Sequence, residues 1–254
     1  MPNSINVLAL FAHPDDAEFL CAGTLTHLAA LGARVHIATV SAGDCGSTTL
    51  PASKIAAVRQ REAARAAALI GAQYECLKGK DLLIFYDRRH LNKVMELVRR
   101  VRPALVLTHS PVDYMLDHET VSRLSQTACF GAMAPNYKTG LPHAAPPLSG
   151  VPHLYYADAF GRRDVLGNEV ASGFYVNISK TLKRKEEMLA SHESQQAWLK
   201  SQQDIPGTVS AMQKMAREAG KCAGFRWAEG FRQHLGQGFP SDNLLKQLLG
   251  RLVR

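Results

Sequence analysis

The chain has 254 residues, 46% of them apolar and 20% charged, which excludes a disordered or fibrous protein and leaves room for a sizeable core. Thirty Lys and Arg against 22 Asp and Glu give a net charge of +8; this suits a polar ligand with acidic groups, but the charge is spread along the chain and argues against nucleic-acid binding. Five scattered cysteines without a C-x-x-C pair exclude a disulfide framework, and no run approaches the roughly twenty apolar residues of a membrane span, so a cytoplasmic protein is expected.

The first half alternates two periodicities. Ile5 to Phe11 is a short apolar run that reads as a buried strand, broken at His13-Pro14-Asp15-Asp16 and followed by helical spacing over Ala17 to Leu31. Arg34 to Val40 is a second strand, 41–47 a loop, and Ser53 to Ile70 a helix ending at Gly71. Gln73 to Leu77 is a third strand and Asp87 to Arg102 an amphipathic helix. Pro103 precedes the most apolar strand, Ala104 to Thr108, and Glu119 to Met133 reads as a further helix.

The Pro/Gly-rich stretch 135–152 reads as a loop or lid. Strand-like segments resume at His153 to Asp158 and Gly173 to Ile178, before helices over Ser179 to Gln203 and Thr208 to Lys221. Trp227 and Phe231 fall at helical spacing, and Lys180, Lys183, Arg184 and Lys185 read as a solvated helix face. The expected fold is α/β: one domain over 1–254, with a Rossmann-like core (1–134) whose mostly parallel sheet is flanked by helices, and a C-terminal elaboration (153–254). In such sheets reactive groups gather beyond the carboxyl ends of the strands, which brings 12–18 and 109–118 to one edge.

Both segments are rich in ligand-type side chains. His13 and Asp16, three apart at a helix entrance, can face one divalent ion, leaving Asp15 free to hold a proton. Taken alone the segment is equally a turn with a helix N-cap. The second segment, HSPVDYMLDH at 109–118, tips the balance: His118 can supply a third ligand, and two His plus a carboxylate with room for water is a pattern of hydrolytic zinc sites. Asp117 is read as an outer acceptor that orients an imidazole, and Asp113 and Tyr114 as substrate contacts. Cys45 lies beside the crevice without a neighbouring base, and Tyr155, Tyr156, Phe160 and Tyr175 read as core and lid packing.

The sequence resembles the PIG-L/LmbE-like zinc deacetylases. The resemblance rests on AHPDDAE at 12–18, SAGDCGS at 41–47, VRQREAARAAALIGA at 58–72, the Asp-His pair at 117–118, KRKEEMLASHESQ at 183–195 and GFRWAEGFR at 224–232. It implies His13, Asp16 and His118 as zinc ligands, Asp15 as general base and Arg59 as a contact to sugar hydroxyls or neighbouring polar groups. It further implies a homo-oligomeric hydrolase that removes an N-acetyl or other N-acyl group from a small amino sugar or glycoside, using one zinc per chain; iron(II) or cobalt(II) would suit the same donors. Alternatives are an amidase for a larger N-acyl conjugate and a catalytically weakened metal- and sugar-binding protein. The second follows from one departure: Met115 stands where the family commonly has a histidine, and a thioether has no proton to give. His192, His109, Tyr114 and His153 are candidate replacements, with His192 preferred as the catalytic donor.

Overall fold

The computed structural model describes residues 4–203 and 207–254. Seven strands form one sheet: β1 (Asn6–Phe11), β2 (Arg34–Ser41), β3 (Gln73–Gly79), β4 (Leu105–Thr108), β5 (His153–Ala157), β6 (Phe174–Asn177) and β7 (Ala228–Gln233), in the order β3-β2-β1-β4-β5-β7-β6. The first five pair in parallel, and β7 runs antiparallel to both β5 and β6. This is the α/β architecture expected, with a C-terminal pair of strands added to a Rossmann-like order.

Alternation along β1 divides the core between two faces. Val7, Ala9 and Phe11 pack with Leu25, Leu28, Ile178, Met188 and Phe231 on one side; Leu8, Leu10 and Ala12 pack with Val94, Leu97, Val98, Val121 and Leu124 on the other. The second face is covered by α4 (Arg88–Val101) and α5 (Leu116–Gly131). Asp87 caps α4 by accepting the His90 N–H at 2.8 Å.

The other face is covered by α1 (Asp16–Leu20), α2 (Ala22–Ala30), α3 (Ala52–Ala68), α6 (Leu182–Ala190) and α8 (Thr208–Ala223), with α7 (Glu193–Gln203) between α6 and α8 and α9 (Leu244–Leu249) near the end of the chain. Two helices read as continuous are therefore broken: 17–31 at Cys21, and 179–203 at Ser191-His192. Among the described residues no helix is long and apolar enough to cross a membrane.

The break at Cys21 has a chemical cause. It turns the Gly23 and Thr24 N–H groups toward the buried carboxylate of Glu229 on β7, which accepts them at 2.9 and 2.7 Å and the Thr24 hydroxyl at 2.5 Å. Lys185 on α6 completes this site, its Nζ 2.5 Å from Glu229 Oε1, with both side chains 2% exposed. Lys185 is thus no part of a solvated face: only here can its charge meet a desolvated partner. Residues 228–231 form a strand rather than a helix. All four are buried between β5 and β6, so the alternation that marks a strand is missing from the sequence.

The 135–152 stretch, read as a loop or lid, lies along α4. Arg99 of α4 donates to the carbonyls of Ala132, Ala134 and Tyr137, Asn92 donates to Thr139 O, and Glu96 accepts the Ala145 N–H, which straps the segment along α4. Replacing Lys185 by Ala leaves Glu229 an uncompensated buried charge; urea denaturation is expected to show a loss of about 3–5 kcal/mol, and a loss under about 1 kcal/mol would refute this account of the pair.

Candidate active site

β1 and β4 are neighbours, with Leu10 opposite Thr108, so the segments that follow them leave the sheet side by side where the strand order reverses. There Asp16 Oδ2 lies 3.4 Å from His13 Nδ1 and Asp16 Oδ1 lies 3.6 Å from His118 Nε2. One ligand atom from each of the three residues falls within 4.8 Å of the others. The edges of a tetrahedron with ligand bonds of 2.0–2.1 Å are about 3.3–3.5 Å, so the separations suit a divalent ion such as zinc.

The outer ring nitrogens supply a second test of fit. His13 Nε2 lies 3.1 Å from Asp117 Oδ2, which also accepts the Leu82 N–H at 2.8 Å; His118 Nδ1 lies 2.9 Å from Asp113 Oδ1. A proton on each outer nitrogen leaves the inner lone pairs pointing at a common centre. Burial opposes a protonated His13, yet the carboxylates of Asp117, Asp16 and Asp81 outweigh it and push its pKa up to about 10. Burial works against the Asp16 anion, but His118 and His109 hold its carboxyl well below the usual range. The site is built for positive charge.

Asp117 does orient an imidazole, but that of His13 rather than its neighbour His118. Asp113 was expected at the substrate; it is 1% exposed and committed to His118, because the first turn of α5 directs both inward. His109 is fully buried, stacked on His118 at 3.9 Å, and its Nε2 accepts the Ala12 N–H at 3.0 Å. Burial, with His118 beside it, pushes its pKa down to about 4 and leaves it a neutral plate beneath His118.

Asp15 stands apart from the three. Its backbone has φ 105°, a conformation that costs a residue with a side chain about 1–3 kcal/mol. Its carboxylate lines the cavity 3.4 Å from Arg59 Nη2. Burial raises its pKa to about 6 while Arg59 holds it back, which suits a proton acceptor working near neutrality. Arg59 is itself buried and lines the cavity, with Nη2 donating to Pro14 O at 2.8 Å and its guanidinium seated on Gly43, where φ is 73° and a Cβ would collide with it.

His192, the expected donor, stands near Asp15 but does not line the cavity. It sits at the break between α6 and α7, 1% exposed, with Nε2 3.6 Å from Glu18 Oε2. The turn between the helices faces inward, and the ring is closed to solvent. His153 is likewise absent from the cavity lining, paired with Asp242 at 2.9 Å. Tyr114 and Met115 do reach the cavity, and Tyr114 packs edge-on against His118 at 5.3 Å.

The cavity measures about 560 Å³. Phe160, expected in packing, lines it and is 41% exposed. Cys45 and Asp81 also reach it; Asp81 accepts the Cys45 N–H at 3.0 Å, bracing the 43–46 loop. Asp81, and the place of α7 and α8 in the cavity wall, where they supply Trp198, Leu199 and Ala211, were not read from the sequence. None of them carries a motif of its own, and only the long-range packing of their elements brings them here.

The model of the PIG-L family, described as GlcNAc-PI de-N-acetylase, matches residues 8–129. The matched stretch, a little under half of the chain, carries the three converging residues His13, Asp16 and His118. A curated relative, 4-oxalmesaconate hydratase of Pseudomonas putida, is 30% identical over 143 residues, which span 53% of this chain and 55% of that protein, so the match covers about half the relative's length. Among solved structures, the N,N'-diacetylchitobiose deacetylase of Pyrococcus horikoshii shares the fold with a TM-score of 0.76 at 22% identity, over 91% of this chain and 84% of that one. The 4-carboxy-2-hydroxymuconate hydratase of Pseudomonas putida gives 0.74 at 22% identity, over 94% and 99%. A conserved protein of Thermus thermophilus gives 0.73 at 26% identity, also over 94% and 99%.

A divalent ion held by His13, Asp16 and His118 would have to displace the His13 proton. Zinc affinity is therefore expected to rise about tenfold per pH unit between pH 7 and 9, read by competition with a chromophoric chelator; an affinity independent of pH would contradict the protonated His13. Asp117→Asn is expected to weaken zinc binding about 10–100-fold in the same assay.

Proposed function

We propose that this protein is a metal-dependent N-deacetylase that hydrolyses the amide of an N-acylated amino sugar or glycoside. The observation that carries the reading is the convergence of His13, Asp16 and His118, with Asp15 left uncoordinated beside them in the same cavity. These three residues would hold zinc, or iron(II) or cobalt(II), with the donor set found. Such an ion acidifies water and polarises the amide carbonyl.

The chain's own groups supply the rest. Asp15 takes the proton of the attacking water as its oxygen bonds to the carbonyl carbon. The C–N bond then breaks, the nitrogen leaves with the proton returned by Asp15, and a free amine and a carboxylic acid result, the acid losing its proton to solvent. Arg59 holds the Asp15 turn through the Pro14 carbonyl and keeps the carboxylate ionised at neutral pH. Met115 offers no proton, so the donor to the developing oxyanion falls to the Tyr114 hydroxyl on the His118 side of the cavity.

A second reading, hydration of an unsaturated carboxylic acid, is favoured by the identity to 4-oxalmesaconate hydratase. An oxo-dicarboxylate needs cationic partners. Among the described lining residues Arg59 alone carries a permanent positive charge, and it is engaged with Pro14 O, Gly43 O and Asp15. A neutral sugar fits that lining better.

Asp15→Asn is expected to lower free-amine formation from N-acetylglucosaminyl compounds by at least about a hundredfold with zinc content unchanged. Activity that survives this substitution would remove Asp15 as the base. Tyr114→Phe is expected to lower kcat about a hundredfold, and an unchanged kcat would return the donor role to another group. Saccharide binding without turnover in the zinc-loaded wild type would identify a binding protein instead.

A further inference from the structure

The cavity has two unlike flanks. On one, Arg59 lies 3.4 Å from Asp15, and a Cβ placed on Gly46 would stand 2.9 Å from Arg59 Nη1 and 3.3 Å from Gln195 Oε1. Arg59 Nε and Gln195 Oε1 are buried and have no hydrogen-bond partner in the protein. Both atoms are closed to solvent, so the polar groups a ligand meets on this flank are the Asp15 carboxylate and the rest of the Arg59 side chain. On the other flank a row of rings runs outward from the metal ligand. Tyr114 packs on His118 at 5.3 Å, Phe160 on Tyr114 at 5.6 Å and Phe19 on Phe160 at 5.0 Å. Tyr114 and Phe160 are 53% and 41% exposed, and Met115 lines the cavity beside them.

The direction of the substrate follows from the chemistry. The departing nitrogen must lie on the side of Asp15, which returns its proton, and Asp15 is on the Arg59 flank. The sugar follows its nitrogen to the polar flank. The acyl carbon chain, on the far side of the scissile carbonyl, points to the rings. We infer that the protein prefers an acyl group longer than acetyl, a medium-length alkanoyl chain laid along Tyr114, Phe160 and Phe19. This rests on the N-deacetylase reading above.

The test is free-amine formation by the zinc-loaded protein from N-acetyl-, N-butyryl- and N-hexanoylglucosamine, with the octyl glycoside of N-acetylglucosamine as a further substrate. kcat/KM is expected to rise about tenfold or more from the acetyl to the hexanoyl compound, since each methylene an apolar pocket accepts discriminates on that scale. Phe160→Ala is expected to reduce the hexanoyl-to-acetyl ratio at least about threefold; an equal loss on both substrates, leaving the ratio unchanged, would mean a merely structural role and overturn the assignment. An acetyl compound hydrolysed as fast as the hexanoyl one would overturn the inference while leaving the deacetylase reading intact. A gain from the octyl glycoside that matches the hexanoyl gain would place the apolar group on the aglycone and also overturn it. No amine from any member of the series would defeat the deacetylase reading itself, and the inference with it.

Discussion

The structure depends on a concentration of buried negative charge at the carboxyl ends of β1 and β4. Asp81, Asp113 and Asp117 are buried around the imidazoles of His13 and His118, and Asp15 and Asp16 stand half-buried at the cavity wall. Taking a carboxylate out of water costs several kcal/mol unless opposite charge and hydrogen bonds replace the hydration. Main-chain N–H groups of His13, Leu82 and Cys45 and the Arg59 guanidinium meet part of that demand. The remaining demand is for a cation at the centre, and a proton on His13 serves it when no metal does.

The same economy of charge organises the parts of the chain that touch no substrate. Glu229 and Lys185 form a second buried cluster on the sheet face that α1, α2 and α6 cover, where the carboxylate caps α2 and the ammonium ties α6 to β7. Through these contacts the C-terminal elaboration becomes a scaffold: α6 meets α1 and α3, and α7 and α8 stand over the cavity. The strained backbone at Asp15 is affordable only within such a frame, with Arg59 gripping the preceding carbonyl.

Much of this was legible in one dimension. The parallel strands announce themselves by apolar runs, because a strand covered on both faces needs no alternation, and the candidate ligands by an imidazole and carboxylates crowded where a stable turn would carry Gly or Asn. Local spacing also separates Asp15 from Asp16. It could not tell that Asp113 serves His118 or that Asp117 serves His13, since an acceptor is chosen by the direction of a side chain and not by its distance along the chain. His192 has the composition of a catalytic residue and the environment of a core residue, a difference that only burial reveals.

The amino-acid sequence by itself determined the α/β class, the sheet edge at which chemistry gathers, and the identity of the residues that converge there, because each follows from short-range periodicity and from residue type at a strand end. The tertiary structure alone decided which carboxylate orients which imidazole, that Lys185 lies in the core, that 135–152 lies along α4, and that aromatic rings flank the cavity on one side. Those outcomes depend on contacts between residues far apart in the chain, where desolvation and packing, not local propensity, set the free energy.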